Sequence, residues 1–270
     1  SLWPVWREIS PDPNLILKLA PESYLEDPAP PAMVLERRAR LMGPSLSISY
    51  RKKLKMVRGR GAYLYDHTGR ASVDGVNNIC HVGHAHPHVV GALARQAAVL
   101  NTNTRYLHDT ILDYSERLGA TFPSPLSVVY LVCSGSEAND TVIKLVWFYN
   151  NGRGRPQKKK IISRQRAYHG ITIASGSLTG LPWNHRDFDL PIANILHTAC
   201  PHYWRFGWDG ESEEEFASRM AGQLEEMILR EGPDTVAAFI GEPIQGAAGV
   251  LIPPTTYWPE VQRICRKYGV

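Results

Sequence analysis

The residues with the clearest chemical use lie in one stretch, Val128-Val129-Tyr130-Leu131-Val132-Cys133-Ser134-Gly135-Ser136-Glu137-Ala138-Asn139. A β-branched apolar run stops at Ser134-Gly135-Ser136. Beyond it Ala138, Val142, Leu145, Val146 and Tyr149 recur at helical spacing, with Asp140 and Lys144 paired four apart on the other side. The pattern predicts a strand buried on both faces, a small-residue turn and a helix. A helix start leaves backbone N–H groups unpaired and carries the positive end of the dipole, so a phosphate suits it. Gly135 lets a ligand come close, and the hydroxyls of Ser134 and Ser136 add hydrogen bonds. The same residues also fit an ordinary strand-to-helix connection with a serine cap.

Two more segments stand in an equivalent position. Tyr168-His169-Gly170 follows a short strand at Ile161-Ile162, and Glu242-Pro243-Ile244-Gln245 follows a buried strand from Val236 to Ile240. All three features lie just past strand ends, where α/β sheets bind their ligands. His81, His84, His86 and His88 invite a metal, but their spacing lacks the i,i+4 pairing of a helical zinc site and contains no carboxylate. No metal site is predicted.

The elements that must position these residues are readable in outline. Seven prolines between Pro4 and Pro31 forbid a long helix, so residues 1–30 read as a linker or an upstream tail. Residues 31–75 hold one or two helical turns (Glu36 to Met42) and a small antiparallel meander of Leu54 to Val57, Tyr63 to Tyr65 and Ala71 to Val73, turned at Asp66-His67-Thr68-Gly69. From residue 76 to 270 strands and helices alternate. Pro87 opens a helix with Val89, Val90, Leu93, Ala97 and Leu100 on its apolar face, and another spans roughly Thr110 to Leu118. Asn151-Gly152 stops the phosphate-type helix. Pro182 to Trp208 reads as a long ordered surface loop. Ser212 with Glu215 forms a capping box ahead of the face Phe216, Met220, Leu224, Met227 and Ile228. Trp258, Val261, Cys265 and Tyr268 form the last helical face, with Gly269 as its stop. The fold class is α/β with a largely parallel sheet and helices on both faces.

Composition bounds the rest. The 270 residues are 43% hydrophobic and 21% charged, with a net charge of +4, which calls for no nucleic-acid partner. Arg51-Lys52-Lys53 and Lys158-Lys159-Lys160 read as solvated loops. The four cysteines are widely spaced, as expected of reduced, mostly buried thiols in a cytoplasmic protein. No run of residues is long and apolar enough for a membrane span. Ser1 in place of an initiator Met fits a processed chain or an excerpt of a longer one.

With the three segments in register, the sequence resembles the class III aminotransferases, fold-type I enzymes that use pyridoxal 5′-phosphate. SGSEAN (134–139), AYHG (167–170) and GEPIQGAAGV (241–250) occur in the family's order, and HVGHAHP (81–87) matches the loop before its first large-domain helix. The resemblance runs from about Gly43 to Val270. It implies that Ser134, Gly135 and Ser136 bind the cofactor phosphate. Tyr168 stacks on the pyridine ring, His169 and Gly170 shape that wall, and Glu242 lies beneath the cofactor, supporting the carboxylate that pairs with the pyridine nitrogen. The family chemistry also needs a Schiff-base lysine and a pyridine-binding aspartate. Neither has a match here, so no catalytic residue is assigned and the resemblance implies an N-terminal part of a longer enzyme that is a homodimer when complete.

The resemblance divides over the reaction. SLTGLPWNHRDFDLP (177–191), PPTTYWPE (253–260) and RICRKYG (263–269) resemble ω-amino acid:pyruvate-type aminotransferases. Ala247 stands where ornithine- and GABA-type members carry a substrate-pairing glutamate, which argues against those substrates. NNICHVGHAHP (77–87) and LNTNTRYLHD (100–109) look more like phospho-lyases acting on phosphorylated amino alcohols or amino acids. Arg105 suits a phosphate or a carboxylate near the substrate channel, and equally fits an exposed helix-end arginine. The leading expectation is transfer of an amino group from a primary amine or ω-amino acid to a keto acid. The alternatives are a phospho-lyase and a non-catalytic truncated fold.

Overall fold

The computed structural model describes residues 29–44, 46–77 and 80–270. The proline-rich stretch before Ala29 lies outside the described residues, as do Asn78 and Ile79 of the histidine-bearing segment. Two compact units divide the chain, residues 1–112 and 113–270.

In the first unit, helix α1 (Pro31–Leu41) is longer than the one or two turns expected. Strands β1 (Met56–Arg60), β2 (Tyr63–Asp66) and β3 (Ala71–Val73) form the antiparallel meander in the order β1-β2-β3. Its second turn is closed by Asp66, whose Oδ1 accepts from Thr68 N at 2.9 Å, Thr68 Oγ1 at 2.6 Å and Arg70 N at 3.1 Å. Among the histidines, His84 Nε2 pairs with Asp74 Oδ2 at 2.7 Å. Helix α2 (Pro87–Val99) begins with Pro87 in its first turn, where a missing N–H costs nothing. Its expected apolar face is a correction: Val89, Val90, Leu93 and Leu100 are all exposed.

Helix α3 (Asp109–Gly119) leads into the second unit. There the run 126–132 departs from expectation. It forms no strand, pairs with none, and Val128 and Tyr130 are 94% and 73% exposed. An apolar run becomes a buried strand only where neighbours supply a ladder and cover its faces, and neither is found among the described residues.

Helix α4 (Gly135–Gly152) follows as expected but presents a different side inward. Ile143 and Asn150 are buried, with Trp147 packed beside them, whereas Val142, Leu145 and Tyr149 are exposed. The helix is apolar on nearly every side between Val142 and Tyr149, so periodicity alone cannot select the buried face.

The sheet itself is parallel, in the order β5-β4-β6, built from β4 (Lys160–Arg164), β5 (Ile195–Thr198) and β6 (Val236–Phe239). Consecutive residues of β4 point to opposite faces and separate two cores. Ile161 packs with Ile143, Leu178 and Ile195 beneath α4 and α5 (Ile173–Leu178). Ile162 packs with Phe216, Met220, Leu224, Val236, Tyr257 and Val261 beneath α7 (Glu213–Glu231) and α8 (Tyr257–Tyr268). Each such side chain stabilises the fold by about 1.5–3 kcal/mol relative to exposure. Ser212 and Glu215 make the full capping box of α7, and Gly269 caps α8 at φ 63°.

The segment 182–208 is not one loop. Besides a 3₁₀ turn at Pro182–Asn184 it contains β5 and the short α6 (Tyr203–Phe206). A four-residue strand between proline-rich turns is too short to register as a period. Two composition readings also change. Lys158 is buried, donating to Tyr268 O at 3.4 Å by the end of α8, and Cys80 and Cys133 are exposed while Cys200 is buried. Among the described residues no helix is long and apolar enough to cross a membrane.

Candidate cofactor site

Ser134 caps α4, its hydroxyl accepting Glu137 N at 3.1 Å, while Glu137 Oε2 accepts Cys133 N at 2.7 Å. Gly135 and Ser136 occupy the first two helical positions, whose N–H groups have no intrahelical acceptor. A Cβ on Gly135 would meet nothing within 4 Å, so the α-carbon at the helix start faces open space. Ser136 Oγ accepts Ile171 N at 3.2 Å and keeps its own proton to donate.

The carboxyl end of β4 carries the second segment. Each N–H from Tyr168 to Ile171 ends on a side-chain oxygen. Tyr168 N donates to Glu242 Oε1 at 3.0 Å; His169 N and Gly170 N donate to Thr179 Oγ1 at 3.0 and 3.3 Å; Ile171 N reaches Ser136. Asn139 Nδ2 donates to His169 O at 2.6 Å. Gly170, at φ 142°, turns with its α-carbon against Ser136 and Ser175, and a Cβ there would meet Ser136 Oγ at 2.6 Å. Tyr168 itself is 41% exposed. His169 is buried, and desolvation lowers its pKa to about 4 against the favourable field of Glu242, so its imidazole is neutral at pH 7.

The third segment follows β6. Glu242 spends both carboxylate oxygens on backbone: Oε1 on Tyr168 N and Oε2 on Gly246 N at 2.9 Å. Its carbonyl accepts from Arg164, a fully buried guanidinium at the end of β4 over the rings of Tyr257 and Trp258, 5.9 and 5.0 Å from their centroids. Gln245 Nε2 donates to Gln165 O at 3.0 Å, binding the same two loops again.

Ser134–Ser136, Tyr168–Gly170 and Glu242 are thus drawn to one end of the parallel sheet. Arg105 lies in the other unit, exposed on a turn, with its N–H on Asn103 Oδ1. Asp140 is a correction: Thr172 Oγ1 and Ser175 N donate to its Oδ1 at 2.7 and 2.9 Å, so it fastens α4 to α5 instead of pairing with Lys144. Asn139, Thr179 and Arg164 were missed as positioning groups. Asn139 sat in view within SGSEAN and Thr179 within SLTGLPWNHRDFDLP, and Arg164 was legible as a charge closing an apolar strand. The lysines of this unit stand elsewhere. Lys158, Lys159, Lys160 and Lys267 bond Tyr268 O, Asn151, Glu231 and Glu225, and Lys144 is exposed about 13 Å along α4 from Gly135.

The parallel sheet with helices on both faces matches the fold-type I architecture of solved transaminases, and the chain belongs to the class III aminotransferases. Residues 48–270 match the family described as Aminotransferase class-III. Within it, the chain is 48% identical over 219 residues to a probable gamma-aminobutyrate transaminase 2, mitochondrial, of Oryza sativa subsp. indica, covering 79% of this chain and 44% of that protein. It is 47% identical over 223 residues to vanillin aminotransferase of Capsicum chinense, covering 80% and 49%. Among solved structures, the omega transaminase from Pseudomonas jessenii in complex with PMP superposes with a TM-score of 0.78 at 44% identity, over 93% of this chain and 54% of that one. A transaminase with L-ala gives 0.77 at 50% identity, over 80% and 52%. The chain spans about half the length of the relatives it matches.

Proposed function

We propose that the protein contributes the phosphate-binding and ring-facing half of a pyridoxal 5′-phosphate site in an aminotransferase that moves an amino group from a primary amine or ω-amino acid to a keto acid. The observation that carries this reading is the direct hydrogen bonding among the three segments, Ser136 to Ile171, Asn139 to His169 and Glu242 to Tyr168, beside the open start of α4. The residues fit the cofactor: unpaired N–H groups and a free hydroxyl proton suit its dianionic phosphate. A half-exposed tyrosine suits its ring. Bound pyridoxal phosphate supplies an electron sink that lets the amine's α-carbon gain and lose a proton.

In this reading Gly135 and Ser136 bind phosphate with backbone donors, and Ser136 adds its hydroxyl. Ser134 holds the helix start in place. Tyr168 forms the ring wall with His169 and Gly170, and the neutral His169 adds no positive charge beside it. Glu242 holds the wall from below. The Schiff-base lysine and the pyridine-binding aspartate belong to polypeptide outside these residues, in keeping with relatives about twice as long. Arg105 is kept as the candidate group for a substrate carboxylate or phosphate.

The relatives above are named transaminases, which favours amino transfer over phosphate elimination. Similarity to a GABA transaminase removes the force of Ala247 as an exclusion, so γ-aminobutyrate stays among the amines to assay. The complete enzyme is proposed to be a homodimer, which light scattering would test. The unpaired thiols suit a reducing compartment, and a cytoplasmic site is the reading kept; fractionation with the mitochondria would overturn it. The functional test is conversion of pyruvate to alanine by the full-length protein with pyridoxal phosphate and a panel of amines. Phosphate release from phosphoethanolamine with no keto acid consumed would contradict the proposal.

A further inference from the structure

Thr179 is fully buried and lies outside the three segments, and its hydroxyl bonds His169, Gly170 and Ser175 and not the groups assigned to phosphate. Its hydroxyl nevertheless accepts two consecutive backbone N–H groups of the ring wall, His169 at 3.0 Å and Gly170 at 3.3 Å. Its proton goes back to Gly170 O at 2.9 Å, with Ser175 O at 3.3 Å as the longer choice. Two adjacent N–H groups facing the same way have no ladder to join, because β4 ends at Arg164 and the chain has already turned at Arg166, φ 64°. One oxygen with two lone pairs satisfies both, and a hydroxyl has those lone pairs together with a proton for the carbonyl.

The position of that hydroxyl is fixed from behind. Thr179 closes α5, its N–H on Ser175 O at 3.1 Å. The next residue, Gly180, exchanges backbone bonds with the start of the same loop, Arg166 N to Gly180 O at 2.7 Å and Gly180 N to Ala167 O at 2.8 Å. A side chain at Gly180 would collide with Arg164 O, so only glycine lets the two strands of backbone approach this closely. Asp140 ties the other end of α5 to α4.

We infer that Thr179 is a positioning residue for the cofactor site: its hydroxyl sets the backbone of His169 and Gly170, and through it the Tyr168 ring. This rests on the pyridoxal phosphate reading of that wall. Thr179→Val keeps the shape and removes the hydroxyl, leaving two buried N–H groups without an acceptor. Thr179→Ser restores the hydroxyl.

The experiment combines residue-resolved amide exchange of the full-length protein without cofactor and its pyridoxal phosphate affinity by fluorescence titration. In the unaltered chain the His169 and Gly170 amides are expected to be protected. In Thr179→Val they exchange at least roughly 10-fold faster while amides of α7 keep their rates, affinity falls about 10-fold, and Thr179→Ser recovers both. Unprotected His169 and Gly170 amides in the unaltered chain would overturn the inference even if Thr179→Val fails to fold. So would faster exchange with unchanged affinity, which is what a purely structural role gives. Failure of the unaltered full-length protein to bind pyridoxal phosphate would overturn the cofactor reading instead, and the exchange arm would still decide whether Thr179 holds the wall.

Discussion

Ile162 and Val128 are both β-branched residues in short apolar runs, yet one is fully buried and the other 94% exposed. The first belongs to the side of the second unit where β4, β6, α7 and α8 close a core. The second belongs to the uncovered run 126–132, and the outward face of α4 is uncovered as well, with Val142, Leu145, Phe148 and Tyr149 exposed. The residue types hardly differ. What differs is whether strands and helices are present to cover them, so burial is a property of the neighbourhood and sequence pattern only states the demand for it. The candidate site shows both conditions: its Tyr168–Glu242 portion is clamped by hydrogen bonds, and the α-carbon of Gly135 faces open space.

The largest effect separates those sides outright. Phe216→Ala on the built side is expected to cost about 3–5 kcal/mol in urea unfolding, through lost contacts and the cavity left behind. Phe148→Ala, 77% exposed on α4, is expected to cost about 0.5 kcal/mol or less. Equal losses would erase the distinction.

A pH scan sharpens it at the candidate site. His169 has an ordinary pKa of 6.5 when unfolded and about 4 when buried. As pH falls from 6.5 to 4 the unfolded chain takes up a proton that the folded chain refuses, so stability falls, by about 3 kcal/mol at most. Above pH 6.5 the imidazole is neutral in both states and contributes no slope. Unfolding free energies of His169→Asn and the unaltered chain should therefore converge or cross as the solution is acidified, and parallel profiles would show that His169 is not buried in this way.

The smallest effect tests the clamp. Glu242→Gln leaves one acceptor oxygen for the two N–H groups of Tyr168 and Gly246 and sets an amide donor against the other. The expected loss is about 1–2 kcal/mol with faster amide exchange confined to one or both of those positions. Unchanged exchange at both would remove Glu242 from the clamp.

How far the sequence alone reached follows the same division. The capping box at Ser212, the buried face of α7, the parallel strands β4 and β6 and the glycine stop of α8 were legible because each is decided by residues within one or two turns. Of the candidate-site segments, Tyr168–Gly170 and Glu242 were legible from the ends of β4 and β6, and Ser134–Ser136 from the change of period at the start of α4, although no strand precedes it. The Val128 run, the inward face of α4 and the outer face of α2 were misread because nothing in an apolar pattern says whether its cover is present. Strand β5 was too short to show a period, and Thr179 and Asp140 act across 9 to 35 residues of separation, where spacing carries no information.

The central claim is that the open start of α4 receives the phosphate of a cofactor whose ring faces Tyr168. The most direct test is titration of the full-length protein with pyridoxal phosphate, followed by ³¹P NMR, beside Gly135→Asp, which puts a carboxylate at the first position of the helix. The account predicts saturable binding to one site, competition by inorganic phosphate, and roughly 100-fold weaker binding in Gly135→Asp. Binding that is indifferent to Gly135→Asp, or that never saturates, would contradict it.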